Sequence, residues 1–445
     1  MYVLPYEIRQ TIQRIRRDDG LNDGIKAMSS RVKAGGSGMS STTATLAGVA
    51  MNREARRTFN QSLDRYWDTG APQGLVIYDE VIIGGGLHAA VYCAARAQMN
   101  KPQPLVIEKD IVGGSFAMSL DRSVFYLNSR NRPGPLSLPG DGGALNFLPG
   151  APVQPSHLSN EEFQRNDDLA FCIRATLAMY AGVMRGEVIG AEQVSIAVNG
   201  KMIENVWQLK LANGGSVFAK RVLNARGAGI PKTVVPESKR VLTYNDFMRR
   251  MEKDRFPLRG MEKVAVVGDG DSGKTVVEAI VGQSPPGHMS TAALDYATVD
   301  WYSANLPLYC RNAAEVFRSR YKRLAGLFPQ VIGQRARINP IQAPGQVRRG
   351  LDCAYVNGKP YDHVIVCIGL DLPPAIFATS ARSFTGDDGS AIGFQTEDGT
   401  VIRIGANKPP RFSEQEPERV RQLAENRIAA FRLTPFTATI AMMLP

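Results

Sequence analysis

Two glycine-rich stretches have the residue types and spacing to hold phosphate. The first, "VIIGGGLHAA", sets Gly84, Gly86 and Ala89 at G-x-G-x-x-A spacing behind an apolar run. The second, "VAVVGDGDSGKT" at 264–275, sets Gly268, Gly270 and Gly273 at G-x-G-x-x-G spacing. In such a turn the first Gly permits a tight reversal, the second lets backbone approach a pyrophosphate, and a small third residue allows close helix–strand packing. Both would aim free N–H groups and the positive end of a helix at an anion. The second stretch also fits G-x-x-x-x-G-K-[ST], a P-loop for a nucleoside triphosphate. Under that reading Asp269 and Asp271 would sit inside the cradle and repel a triphosphate, and Asp300 in "ATVDW" would be the metal-binding acid.

Glu108 bears on which nucleotide the first turn takes. It closes the strand "QPLVIEKD", 24 residues after Gly84. A carboxylate at that distance binds a ribose 2′-hydroxyl and disfavours a 2′-phosphate. The bland alternative is a solvated acid at a strand end. The second turn has no obvious acid after "ATVDWYSA", and Arg311, Arg318 and Arg320 follow. One of them could bind a 2′-phosphate, or all could be solvated charges on the helix "CRNAAEVFRSRYKRL". NADPH is therefore expected there, with NADH left open. Lys274 either reaches the pyrophosphate or is an ordinary exposed helix residue, and His88 is either a ligand contact or a filler at a helix start.

The elements that must position these turns alternate. "LVIYDEVIIGGG" reads as a strand, "LHAAVYCAARAQM" as a helix and "QPLVIEKD" as a strand. Residues 120–190 are Pro/Gly-rich and then helical in "DDLAFCIRATLAMYAGVM"; "VWQLKLANGGSVFAKRVLNAR" reads as a hairpin. A second strand–helix pair begins at Lys263, and "DHVIVCIG" is a further apolar strand. Strands alternating with helices imply a parallel α/β sheet.

Composition narrows the function classes. A chain of 445 residues should form two or three domains. The net charge of +11 suits anionic ligands, but no dense Lys/Arg block marks a nucleic-acid domain. Five widely spaced cysteines without C-x-x-C offer neither a zinc ribbon nor a local redox disulfide, so no metal site is expected. A reduced, cytoplasmic setting is the plain expectation, and no apolar stretch is long enough to span a bilayer. Residues 1–75 look like a separate basic extension, with two helical segments flanking "KAGGSGMSSTTATLAG". It would be either loosely docked or an arm onto a partner, making a homo-oligomer.

The segment after Glu108 supplies a family likeness. "EKDIVGGSF" resembles the E-K-x-x-x-G-G-x-[WF] segment of flavoproteins with two dinucleotide-binding domains, especially the flavin-containing monooxygenases. The likeness implies that Glu108, Lys109, Gly113, Gly114 and Phe116 surround FAD. "RVLNARGAGIPK" resembles that family's A-T-G-x-x-x-x-P return strand, with Arg226 in place of Thr and Gly227 at the turn. The second turn resembles V-V-G-x-G-N-S-G, with Asp271 where Asn is usual and Ser272 following, and "YDHVIVCIGLDLP" resembles the second crossover, with Gly369.

The resemblance implies an α/β fold with two Rossmann-like domains, the FAD domain being discontinuous around an inserted NAD(P)H domain. The expected bounds are 1–75 for the extension, 76–258 for the first FAD part with its 120–190 insert, 259–358 for the NAD(P)H domain, and 359–445 for the second FAD part. It also implies an FAD- and NAD(P)H-dependent oxidoreductase, above all a monooxygenase oxygenating N or S of a small molecule. Arg130, Asn131 and Arg132 in "YLNSRNRPGP" could line the flavin face or merely cover the sheet. Departures stand beside these matches. Thr243 and Tyr244 occupy the family's His-Ser position, and Asn407 stands where an acid usually meets the flavin's ribityl chain. A flavoprotein fold kept for assembly, with weak or lost catalysis, is the alternative in a different class.

Overall fold

The computed structural model describes residues 53–67, 75–118, 126–130, 151–153, 158, 163–227, 229–236, 238–250, 262–280, 299–303, 338–371, 374–377, 381–385, 391–396 and 401–403. In chain order the elements begin with α1 (Arg53–Trp67), β1 (Ile77–Ile83), α2 (Leu87–Gln98), β2 (Leu105–Glu108), β3 (Tyr126–Arg130), β4 (Phe163–Arg165), α3 (Asn166–Tyr180) and β5 (Gly182–Arg185). Then come β6 (Val188–Val198), β7 (Lys201–Leu211), β8 (Ser216–Asn224), β9 (Ile230–Pro231), β10 (Val241–Thr243), α4 (Tyr244–Arg250), β11 (Val264–Val267) and α5 (Asp271–Ile280). They are followed by β12 (Val299–Tyr302), β13 (Ile338–Ile341), β14 (Val347–Arg349), β15 (Ala354–Val356), β16 (Lys359–Tyr361), β17 (His363–Val366), β18 (Leu370–Asp371), β19 (Ala381–Thr385), β20 (Ala391–Thr396) and β21 (Val401–Arg403).

The larger sheet runs β19-β20-β21-β8-β1-β2-β5, with β7 also pairing β8 and carrying β6 as a hairpin. Its centre is parallel: β8, β1, β2 and β5 are joined in that sense. Successive residues of β1 enter different cores, as the pleat requires. Ile82 joins Phe59, Tyr92, Leu169 and Phe171 on the helical face. Val81 and Ile83 join Trp207, Leu209 and Leu211 of the hairpin on the other. A strand covered on both faces needs apolar residues at every position, which is why "VII" and "LVI" run unbroken.

The second sheet, β10-β17-β11-β12-β13, is parallel throughout. One face packs Val264, Val266 and Trp301 against Phe247, Val276, Val277 and Ile280 of α4 and α5. The other packs Ala265, Val267 and Tyr302 against the antiparallel β14–β16 sheet through Val347, Ala354, Val356 and Tyr361. Between the units run two crossing strands, β9 and β18, paired antiparallel through Ile230–Asp371 and Pro231–Leu370.

Several boundaries and one element differ from the sequence expectation. Helix α1 is not loose: Phe59, Leu63 and Trp67 are fully buried in the first core, so the extension expected over 1–75 gives way to packed chain at Arg53. The second unit starts before residue 259, because β10 pairs with β17, and it includes β17 rather than ending at 358. Strand β10 has only three residues, which is too short for a periodic signal. "GVM", read as the end of a helix, is the parallel strand β5. β6 was absent from the sequence reading; its partly exposed alternation lacks the apolar density of the central strands.

Candidate dinucleotide-binding sites

Each parallel sheet carries one of the two glycine turns at the carboxyl end of its central strand, where open α/β sheets place ligands. In the first, β1 ends at Ile83 and α2 begins at Leu87. Gly84 holds φ +104° and donates its N–H to the Ile107 carbonyl at 2.8 Å. A Cβ on Gly84 would lie 2.5 Å from the Ala225 carbonyl oxygen, so β8 closes directly over the turn. Ala89, on the first turn of α2, is fully buried. Gly86 differs from Gly84. Its backbone is extended, and a Cβ there would meet no described atom within 4 Å. The first Gly is thus required by the fold, while the second keeps open a space in front of a helix N-terminus.

Glu108 stands beside this space. Its two oxygens accept the N–H groups of Gly85 (2.7 Å) and Asp110 (2.9 Å). Burial pushes the carboxyl's pKa up, against those two hydrogen bonds. Two acceptor sites remain for a ribose hydroxyl, given roughly four lone-pair positions on a carboxylate. Asp110, next in the turn, pairs with Arg249 of α4, which ties the second unit to this corner. Lys109, expected at the cofactor, is instead 56% exposed and pairs with Glu187 at 3.7 Å.

The glycine pair comes to the same place. Gly113 donates its N–H to the Gly85 carbonyl at 2.8 Å, and a Cβ on Gly114 would lie 3.4 Å from the Gly86 Cα. Both have positive φ, +108° and +61°. Helix α3 holds this segment at each end. Arg174 Nη1 donates to the Val112 carbonyl (2.8 Å) and Asn166 Nδ2 to the Phe116 carbonyl (3.3 Å). Phe116 packs against the helical core. His88, on the first turn of α2, has its pKa lowered to about 4 by burial, so it is a neutral imidazole at physiological pH.

The second turn repeats the first. Gly268 has φ +110° and donates to the Tyr302 carbonyl at 2.9 Å; a Cβ there would lie 2.2 Å from the Cys367 carbonyl oxygen. Gly270 again has no described atom within 4 Å of a Cβ position. Gly273 packs its Cα on the Gly268 carbonyl, where a Cβ would come to 2.2 Å. Only residues 268–270 separate β11 from α5, and Gly273 is already helical. A P-loop would leave the stretch up to Gly273 unwound around the phosphates, so the triphosphate reading fails on geometry. Asp300 is committed elsewhere: burial opposes its charge, yet hydrogen bonds from Lys359, Tyr361 and Asn339 hold its carboxyl below the usual range. Lys274 is 2% exposed, which removes the exposed-helix alternative; Ser272 is part-exposed beside Gly270.

The repeat extends to the return strands. Ala225 N–H donates to Ile83 and Cys367 N–H to Val267, at 2.8 and 2.7 Å, and Gly227 and Gly369 follow two residues later with φ +72° and +98°. Arg226 bridges the two returns: Nε donates to Asn224 Oδ1 (3.0 Å) and Nη1 to the Pro374 carbonyl (2.9 Å). This is a use for Arg at the position where the flavoprotein motif has Thr. Thr243 likewise has a local role, since its hydroxyl and Asp246 form a reciprocal cap on α4.

One difference between the repeats was not visible in the sequence. Gly84 bonds to Ile107, the residue before Glu108; Gly268 bonds to Tyr302, the residue before Ser303. Ser303, buried and bonded through its N–H to Ile341, therefore occupies the place of Glu108. Register alone reveals it. Arg311, Arg318, Arg320, Asn131, Arg132 and Asn407 lie outside the described residues, and Arg130 is placed only as backbone in β3. Four cysteines lie among the described residues, all free: Cys93, Cys172 and Cys367 are buried, with thiol pKa values pushed up by burial, and Cys353 is half-buried.

No family model matches the chain, and no curated protein matches it in sequence. Solved structures do. A flavin monooxygenase from Stenotrophomonas maltophilia (a double mutant) is 14% identical, with 81% of this chain and 99% of that one covered at a TM-score of 0.45. The FAD-bound cadaverine monooxygenase of desferrioxamine biosynthesis from Erwinia amylovora is 11% identical, with 83% and 94% covered at 0.49. A bacillithiol disulfide reductase from Staphylococcus aureus is 14% identical, with 80% and 99% covered at 0.44. The fold stands on the strand order and the paired turns of the chain itself: two parallel α/β units, each with a glycine turn, joined by two crossing strands.

Proposed function

We propose that the chain is an FAD-dependent oxidoreductase that draws its hydride from NADPH, and that it is a monooxygenase of a small molecule, oxygenating nitrogen or sulfur. The observation that carries the reading is the repeat itself: two turns of the same geometry with opposite residues at the ribose position. Glu108 suits the unphosphorylated adenosine ribose of FAD, and its charge would repel a 2′-phosphate. Ser303 leaves the second site without that repulsion and offers a hydroxyl to a phosphate oxygen.

The spaces before Gly86 and Gly270 suit a pyrophosphate, since each lies open at a helix N-terminus, with no described atom within 4 Å of a Cβ position. FAD, when bound, supplies hydride acceptance and electron transfer to oxygen; the protein supplies orientation and electrostatics. Gly86 and the α2 N-terminus would hold the pyrophosphate, Glu108 the ribose, and Gly113–Gly114 would let the dinucleotide pass close to backbone. Gly268–Gly270 and the α5 N-terminus would do the same for NADPH. The sequence holds no C-x-x-C pair for a local disulfide relay, which favours oxygenation over the disulfide-reductase branch of this architecture.

The test is an absorbance spectrum of the purified protein, followed by anaerobic NADPH and then NADH. Flavin bands that bleach faster with NADPH support the reading, and oxygen uptake coupled to NADPH in the presence of an amine or thioether panel supports the monooxygenase. A protein that is colourless and takes up no added FAD sinks it.

A further inference from the structure

The buried guanidinium of Arg174 bonds helix α1 and the first turn at once, beside the Arg56–Asp167 and Arg56–Asp168 pairs that also tie α1 to α3. Arg174 lies on α3 with 0% of its surface exposed and makes four side-chain hydrogen bonds. Three acceptors belong to α1: Asn60 Oδ1 (3.0 Å), the Asn60 carbonyl (3.0 Å) and Asp64 Oδ1 (2.9 Å). The fourth is the Val112 carbonyl at 2.8 Å, immediately before Gly113. The Trp67 ring, also on α1, lies 5.0 Å from the guanidinium carbon. The Arg174 side chain also backs the turn, its Cγ 3.6 Å from where a Cβ on Gly113 would stand.

We propose that Arg174 is a positioning residue that couples the docking of α1 to dinucleotide binding at the first turn. The proposal rests on the FAD reading of that turn. The physical argument is the cost of an unpaired buried charge. If α1 leaves, the guanidinium loses three hydrogen bonds and its aromatic cover, and Val112 cannot keep its bond to a group that must seek water. The Gly113–Gly114 backbone, which bonds Gly85 and abuts Gly86, then loses its support. Linkage makes the effect reciprocal: a dinucleotide that needs the ordered turn must also hold α1 in place. A planar fork is required, because a lysine ammonium is a single point donor and cannot reach the turn and the helix together.

The experiment compares flavin-stripped wild type, Arg174→Lys, and Val183→Ala, a core change in the same cluster that does not touch the turn. FAD is titrated by quenching of its fluorescence, and hydrogen exchange is followed by mass spectrometry with and without FAD. The expected results are FAD binding at least tenfold weaker in Arg174→Lys, less than threefold weaker in Val183→Ala, and slower exchange across 53–67 of wild type when FAD is added. The exchange readout stands even if Arg174→Lys fails to fold. FAD binding that is normal in wild type with α1 exchange unchanged overturns the coupling alone, as does equal loss in both variants. A wild type that binds no FAD overturns the FAD reading and the coupling with it.

Discussion

Gly84→Ala and Gly86→Ala, two residues apart, should fail in different ways. Gly84 sits at φ +104°, where an L side chain costs about 1–2 kcal/mol, and its Cβ would press to 2.5 Å on the Ala225 carbonyl oxygen and 2.8 Å on its carbon. Those atoms are backbone and cannot rotate aside. Relief requires moving β8 from β1, against the Ala225–Ile83 hydrogen bond. Adding about 1–3 kcal/mol for overpacking gives a loss of about 2–5 kcal/mol, a large part of a domain's stability of about 5–15. Gly86 is extended, and a methyl there meets nothing described within 4 Å. A lower chain entropy in the unfolded state offsets a poorer helix cap, leaving a net change within about 1 kcal/mol. The methyl would, however, stand where a pyrophosphate must approach. Losing two hydrogen bonds to a charged oxygen, at about 1.5 kcal/mol or more each, weakens binding by a hundredfold or more. Urea denaturation of the flavin-stripped proteins and FAD titration separate the two. Normal FAD affinity in Gly86→Ala, or wild-type stability in Gly84→Ala, refutes the assignment of one glycine to the fold and the other to the ligand.

The repeat extends this to the other sheet: Gly270→Ala should retain FAD and its spectrum yet be reduced by NADPH at least tenfold more slowly, as stopped-flow absorbance would show. Ser303→Glu should move the NADPH:NADH ratio of reduction rates toward NADH by tenfold or more, since it rebuilds at the second site the acid found at the first; an unchanged ratio would separate Ser303 from the ribose. His88 is neutral in the folded protein down to about pH 4, while an unfolded His binds its proton near 6.5. Between these values the unfolded chain holds more protons, so His88 should make stability rise with pH by at most about 1.4 kcal/mol per unit. Urea midpoints taken from pH 4.5 to 7 should show that slope in wild type and a shallower one in His88→Gln.

Legibility followed range along the chain. The G-x-G-x-x-A/G turns were readable because each is a local object: a strand, a reversal and a helix start within ten residues, with glycine demanded by φ at Gly84 and Gly268. The P-loop alternative could not be dismissed from letters, because both turns use the same residues and differ only in where the helix begins. The part played by α1 was hidden for another reason. "NREARRTFNQSLDRYW" has the helical period of any docked or partner-seeking segment, and its destination depends on residues far along the chain: Asp167 and Asp168, which pair with Arg56, and Arg174, 110 residues beyond Asp64. Ser303 was hidden by register, for no local signal marks a serine as the counterpart of Glu108. That counterpart appears only when Gly84–Ile107 and Gly268–Tyr302 are seen as one hydrogen bond made twice. The same repeat explains why Arg226 need not be read as decay of a motif. A threonine there would leave the Pro374 carbonyl without this donor, so the residue that departs from the pattern adds a side-chain tie to the backbone pairing of the two crossings.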